Sequence, residues 1–135
     1  MDLVKALQIS AHGLKAQGSR LRVIAENVAN ADSIPQNPEE QPYRRKLVSF
    51  ANTLNRALGF ETVRVRDVVP DRSDFGKRFE PGHPGADAEG YIRTPNVKTI
   101  IEMADMREAQ RSYEANLKVI EASRSMLQRA IAVLR

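Results

Sequence analysis

Cysteine and tryptophan are absent from this 135-residue chain, and aromatics reach only 5%, with three Tyr and four Phe. The first absence excludes a disulfide scaffold, thiolate metal sites and a cysteine nucleophile, and it leaves the redox compartment open. The second means that a core must be built from Leu, Ile, Val, Met and Ala, a palette that suits helix bundles. Long hydrophobic runs are missing too. The longest, from Ala130 to Leu134, falls far short of the ~20 residues a bilayer-spanning helix needs. Near the start, Lys5, Gln8, Ser10, His12 and Lys15 interrupt the apolar stretch that a cleavable export signal requires. Any export is therefore expected to proceed without such a signal.

The residues of catalysis are equally sparse. His12 and His83 are the only histidines, and neither stands in a cluster at metal-ligand spacing. Asp87-Ala88-Glu89-Gly90 has the opening spacing of a calcium loop but lacks the third acidic ligand and the closing Glu, so it reads as an acidic turn. Ser10 near His12, or Ser112 beside Tyr113, has no nucleophile elbow and no third orienting group. A glycine-rich phosphate loop is also lacking. The expectation is no catalytic residue, no cofactor and no bound metal.

The net charge of +4 suggests a nucleic-acid partner until the charges are divided along the chain. Residues 1–31 carry four basic and two acidic groups, residues 32–95 ten of each, and residues 96–135 seven and five. Only Arg44-Arg45-Lys46 forms a tight basic cluster, with Arg64 and Arg66 as an alternating pair, and no stacking aromatics accompany either in a recognition motif. Nucleic acid and membrane insertion are both expected to be absent, and the 44–46 charges read as surface or interface groups of modest value.

What the chain does contain is periodicity at both ends. Proline is missing from Asp2 to Asn30, and Leu7, Leu14, Leu21 and Val28 repeat every seventh residue. That spacing predicts a long amphipathic helix with a seam. Ala11, Gly18 and Ala25 form a small-residue column beside it that would admit a close neighbour. The helix is expected to stop near Asn30, a residue that tolerates the left-handed conformation, with Pro35, Pro38 and Pro42 following. A second helix is expected from an N-cap at Asn96 to the chain end, with its seam at Met106, Tyr113, Ile120, Leu127 and Leu134 and with Asn116 and Ser123 at the seam's edge.

Between the helices lie all seven prolines. Alternation predicts strands over 43–50 and 62–69, a short helix is conceivable over 52–58, and Pro81-Gly82-His83-Pro84-Gly85 is turn chemistry. The predicted fold is mainly α with a small β insertion. Its segments are 1–31, a β-rich and irregular 32–95, and 96–135, with the terminal helices pairing as a coiled-coil-like bundle. A single hairpin of two helices leaves apolar flanks open, here Leu3, Val4, Ile24, Ile100, Ile101 and Ile131. The nine seam residues are therefore expected to be a subunit interface. A self-contained helical adaptor, stable as a monomer, is the competing class.

Several motifs resemble the axial proteins of the bacterial flagellum, the rod and hook family. Ser10-Ala11-His12-Gly13-Leu14, Ala16-Gln17 and Ile24-Ala25-Glu26-Asn27-Val28-Ala29-Asn30-Ala31 are similar to the shared N-terminal signature. More selective are Pro42-Tyr43-Arg44-Arg45-Lys46, Pro81 to Asp87 with Gly90-Tyr91, Pro95-Asn96-Val97, Glu102-Met103-Ala104-Asp105-Met106 and Arg111-Ser112-Tyr113-Glu114-Ala115-Asn116. The resemblance implies a structural subunit of the basal-body rod in the periplasm, exported by the flagellar apparatus and stacked helically to transmit torque, with the terminal helices forming an inner tube and the middle segment outside it. Implied partners are copies of itself, the rod proteins FlgB, FlgF, FlgG and FliE, and the export apparatus. Glu26, Asp32 and the 34–41 loop depart from the family pattern.

Overall fold

The computed structural model describes residues 2–135. Helix α1 (Leu3–Ala29) is 27 residues long, about 40 Å at 1.5 Å per residue. Asp2 starts it as an N-cap: its carboxylate accepts the Val4 N–H at 3.0 Å, and its carbonyl accepts the Ala6 N–H. The expected stop near Asn30 is present, but not through a left-handed residue, since no described residue other than glycine has positive φ. Asn30 instead donates both its backbone N–H and its side-chain amide to the Glu26 carbonyl, at 3.1 and 2.8 Å.

Helix α2 (Thr99–Val133) spans 35 residues, about 52 Å. Its first carbonyl acceptor is Lys98, which takes the N–H groups of Ile101 and Glu102. Asn96 is therefore not its N-cap; that side chain is engaged elsewhere, as described below.

Four strands lie between the helices, in two separate two-stranded sheets. Strands β1 (Lys46–Asn55) and β2 (Phe60–Pro70) pair across a four-residue turn. The short helix conceivable over 52–58 is not formed. Strand β1 runs through Asn55, whose carboxamide oxygen accepts the Ala57 and Leu58 N–H groups, and Gly59 closes the turn at φ +74°. Strands β3 (Gly76–Phe79) and β4 (Tyr91–Thr94) are antiparallel with Gly76 opposite Thr94 and Phe79 opposite Tyr91. Sequence alternation missed this pair because four residues are too few to show a period. Its loop is the expected proline–glycine turn, in which His83 Nδ1 accepts the Gly85 N–H and Asp87 accepts the N–H groups of Glu89 and Tyr91.

Contacts divide the chain into two compact units. The first holds the chain up to Leu21, Val48–Asp67 and Arg107–Arg135; the second holds Arg22–Leu47 and Val68–Met106. Both long helices contribute to each. The core is thin. Among the described residues, prolines and glycines aside, only Ala16, Val23, Ile24, Ile92 and Ala109 are buried apolar residues, whereas nineteen large ones are exposed.

Candidate assembly interface

In the first unit, the two helices meet along small and polar residues. Ser10, Gly13 and Ala16 of α1 and Ala109 and Ser123 of α2 are buried, with Asn116 half-buried between them. Glu102, Ala109, Asn116 and Ser123 themselves fall at seven-residue spacing, so the buried column of α2 is a heptad column, three residues after one member of the leucine-like seam and four before the next. A Cβ placed on Gly13 would lie 2.7 Å from Asn116 Oδ1, so glycine alone permits the approach. Gly18 faces the Tyr113 ring, and Arg20 pairs with Glu108 at 3.6 Å, so these contacts run in opposite chain directions. The small column expected to face a neighbour, Ala11 and Ala25 with Gly18, is mostly exposed. Close approach belongs instead to Gly13, because a contact line is set by the narrowest path between backbones.

The predicted seams flank that line. Leu7, Leu14, Leu21, Val28, Met106, Ile120 and Leu127 are half-buried, Tyr113 is 36% exposed and Leu134 88%. Around them Val4, Ile9, Met103, Leu117, Met126 and Ile131 are exposed as well. Gln17 Oε1 is the single buried side-chain polar atom without a hydrogen-bond partner among the described residues.

The second unit is held differently, by a polar clasp that the sequence did not reveal. Glu102 and Asn27 are each 1% exposed. Asn27 donates to Glu102 Oε2 at 3.1 Å and to the Lys46 carbonyl at 2.9 Å, while its Oδ1 accepts from the Tyr43 hydroxyl and the Lys46 N–H. Arg45 donates from Nε to Glu102 Oε1 and reaches Asp71 at 3.2 Å and Asp105 at 3.5 Å. The Arg45 backbone N–H goes to Asn96 Oδ1 at 2.7 Å, and the Asn96 amide nitrogen donates to the Asp71 and Ser73 carbonyls. Arg44 donates to the same two carbonyls and lies over the Phe75 ring at 4.1 Å. Lys46 pairs with Glu26.

The charges of the clasp favour one another. Burial acts to lower the Arg45 pKa, but its hydrogen bond to Glu102 and the charges of Glu102 and Asp71 outweigh this and raise it. The Ser73 N–H, donating at 2.9 Å, holds the Asp71 carboxyl below its ordinary range, with Arg45 adding to the effect. Burial, then the nearby Glu26 carboxylate, pushes the Tyr43 phenol up. The 44–46 cluster is thus not a set of weak surface charges. Arg45 is the counter-ion of a buried carboxylate, whose desolvation would otherwise be severely unfavourable. The signal was present in the sequence as three separate motifs, around Asn27, Arg45 and Glu102, that only the fold brings together.

The polar groups of the clasp satisfy one another, and no group of three His, Cys, Asp or Glu side chains that could hold a metal ion occurs among the described residues. No described helix is long and apolar enough to cross a membrane. What it offers is a rigidly pinned pair of helix ends and two helices with open apolar flanks.

Comparison with known proteins fits that geometry. The family described as flagellar basal body rod FlgEFG protein C-terminal matches residues 88–133. The flagellar basal-body rod protein FlgC of Agrobacterium fabrum is 46% identical, with 98% of this chain and 96% of that protein covered. Those of Escherichia coli O6:H1 and Bacillus subtilis are 41% and 36% identical, with 98% of this chain and 98% and 99% of the relatives covered. Identity of this size from end to end leaves no large part of the chain outside the similarity, and so the chain belongs to the FlgC family of flagellar basal-body rod proteins and is a structural subunit of the rod.

Proposed function

We propose that Leu7, Leu14, Leu21, Val28, Met106, Tyr113, Ile120, Leu127 and Leu134 form the surface through which this subunit packs against its neighbours in the rod. In this reading 1–31 and 96–135 build the inner tube as a coiled-coil-like layer, 32–95 lies outside it, and the stack carries torque across the periplasm. Neighbours are copies of the chain and the rod proteins FlgB, FlgF, FlgG and FliE, delivered by the flagellar export apparatus. No catalysis is involved.

The single observation that supports this is the imbalance of burial. The contact line between the helices is made of Gly, Ala, Ser and Asn, while the large apolar side chains beside it stay half-buried or exposed. Burying each of them is worth about 1.5–3 kcal/mol, and only neighbouring subunits can supply the cover. The orphan Gln17 Oε1 fits a donor arriving from such a neighbour. The test is Leu14→Asp and Ile120→Asp beside Lys118→Asp, whose side chain is exposed. At matched expression and secretion, the first two should abolish basal bodies seen by electron microscopy and swimming, since an unpartnered charge in an apolar interface costs several kcal/mol at every repeat. Normal rods from the seam variants, with loss from the Lys variant, would place the interface on another face.

A further inference from the structure

Residues 34–41, in the connection between α1 and β1, carry no recognised motif and take no part in the clasp, yet they are firmly built. Residues 37–40 form a turn closed by the Glu40 N–H donating to the Asn37 carbonyl at 3.1 Å. Arg93 then donates to the Pro38 and Glu40 carbonyls at 3.3 and 3.2 Å. The turn presents two adjacent exposed carboxylates. Glu40 accepts a long bond of 3.3 Å from the Gln36 N–H, and Glu39 has no hydrogen bond or ion pair among the described residues. A backbone pinned this tightly, carrying one carboxylate that nothing in the chain uses and one held only by that long bond, is preorganised for a cationic partner.

The first unit contains a groove of the opposite sign. About 370 Å³ in volume, it is lined by His12, Lys15, Ser19 and Arg64 together with Ala16 and Val63, and no acidic side chain lines it. Lys15 is exposed and without an ion-pair partner among the described residues. Arg64 is steadied by its Nε–H donating to Thr53 Oγ1 at 2.7 Å, which leaves its terminal amino groups directed at no carboxylate.

We propose that the Glu39–Glu40 turn of one copy docks into the Lys15–Arg64 groove of a neighbouring copy, as a polar rim to the apolar contact of the helices. The proposal rests on the reading that copies of this chain pack against one another. Two unlike patches on one chain make a heterologous contact, and a heterologous contact repeated without closure generates a helical stack. Like-charged juxtaposition would reject a register that brings two grooves or two turns together, so the pairing sets register more than affinity.

The absence of native cysteine makes a direct test possible. One chain carrying Glu39→Cys and another carrying Lys15→Cys are co-expressed, and purified basal bodies are oxidised. A cross-linked dimer, joined through positions 39 and 15 by mass spectrometry, should form only when both chains are present. No dimer from basal bodies that contain both chains, or a cross-link to a different protein, overturns the proposal. In a second arm Lys15→Glu with Arg64→Glu lowers incorporation, about two- to fivefold for each lost pair. Adding Glu39→Lys and Glu40→Lys in the same chain restores it, and failure to restore counts against the docking. Leu14→Asp, run in parallel, separates the two ideas. If it blocks assembly while no 39–15 cross-link forms, only the docking fails; if it assembles normally, the seam reading fails with it.

Discussion

The two units of this chain use the same two helices and hold them in opposite ways. In the second, Asn27, Arg45, Glu102 and Asn96 join residues far apart in sequence by directional bonds that leave few polar groups unmet. In the first, Gly13 sits close to Asn116 of α2, and the large side chains lie beside the contact, half-buried or exposed. The second unit contains its own reason to be folded; in the proposed reading, the first is finished by what packs on it. This difference suits a subunit that must keep one region constant while another merges into a polymer.

The largest expected effect comes from breaking the clasp. Arg45→Ala leaves the fully buried Glu102 without its counter-ion and should cost about 3–5 kcal/mol. Hydrogen exchange on the purified chain should show protection collapsing over 22–47 and 68–106 well before it changes around Ala109. Equal loss in both regions would mean that the chain unfolds as one piece and the contrast is false.

Gly13 sharpens the other side of the comparison. Ala there gains about 1 kcal/mol of helix propensity, but its methyl meets the Asn116 carboxamide, which is itself held by a 2.9 Å bond to the Ser112 carbonyl. Crowding of this kind typically costs about 1–3 kcal/mol. Gly13→Ala should therefore destabilise the first unit, and Gly13→Ala with Asn116→Ala should be more stable than Asn116→Ala alone. Thermal unfolding of the four variants gives the cycle, and a favourable effect of Gly13→Ala in the presence of Asn116 would show that the approach is not tight.

The smallest effect is acid sensitivity. Asp71 has its pKa lowered from 3.8 in the fold, chiefly by the Ser73 N–H, so its contribution is fully present above that value and is lost as pH falls through the lower, folded one. Stability of the second unit should decline below about pH 4, and Asp71→Asn should flatten that decline slightly. An unchanged acid limb would remove Asp71 from the set of groups that matter.

Both long helices were legible in the sequence, because the heptad spacings and the absence of proline are local properties that a helix displays whatever surrounds it. Strands β1 and β2 were legible in outline but their pairing was not, and where a short helix was conceivable over 52–58 the chain continues as strand to Asn55, whose side chain organises the turn. The helix starts were less so. Asn96 looks like a cap by residue type, but its side chain is committed to Arg45 and Asp71, partners 51 and 25 residues away. The clasp was invisible as a whole for the same reason: Asn27 and Glu102 are 75 residues apart, and each taken alone is an ordinary polar residue on a helix.

By itself, then, the sequence determined that there are two helices, that each carries an apolar seam, and that a proline-rich middle with short strands separates them. It could not determine which column of each helix faces the other. A seven-residue repeat recurs in every column of a helix, and Glu102-Ala109-Asn116-Ser123 has the same spacing as Met106-Tyr113-Ile120-Leu127. Only the tertiary structure chose between them, because backbones can close to contact distance only where side chains are small. The leucine-like columns, too bulky for that line, were left half-buried at its edge.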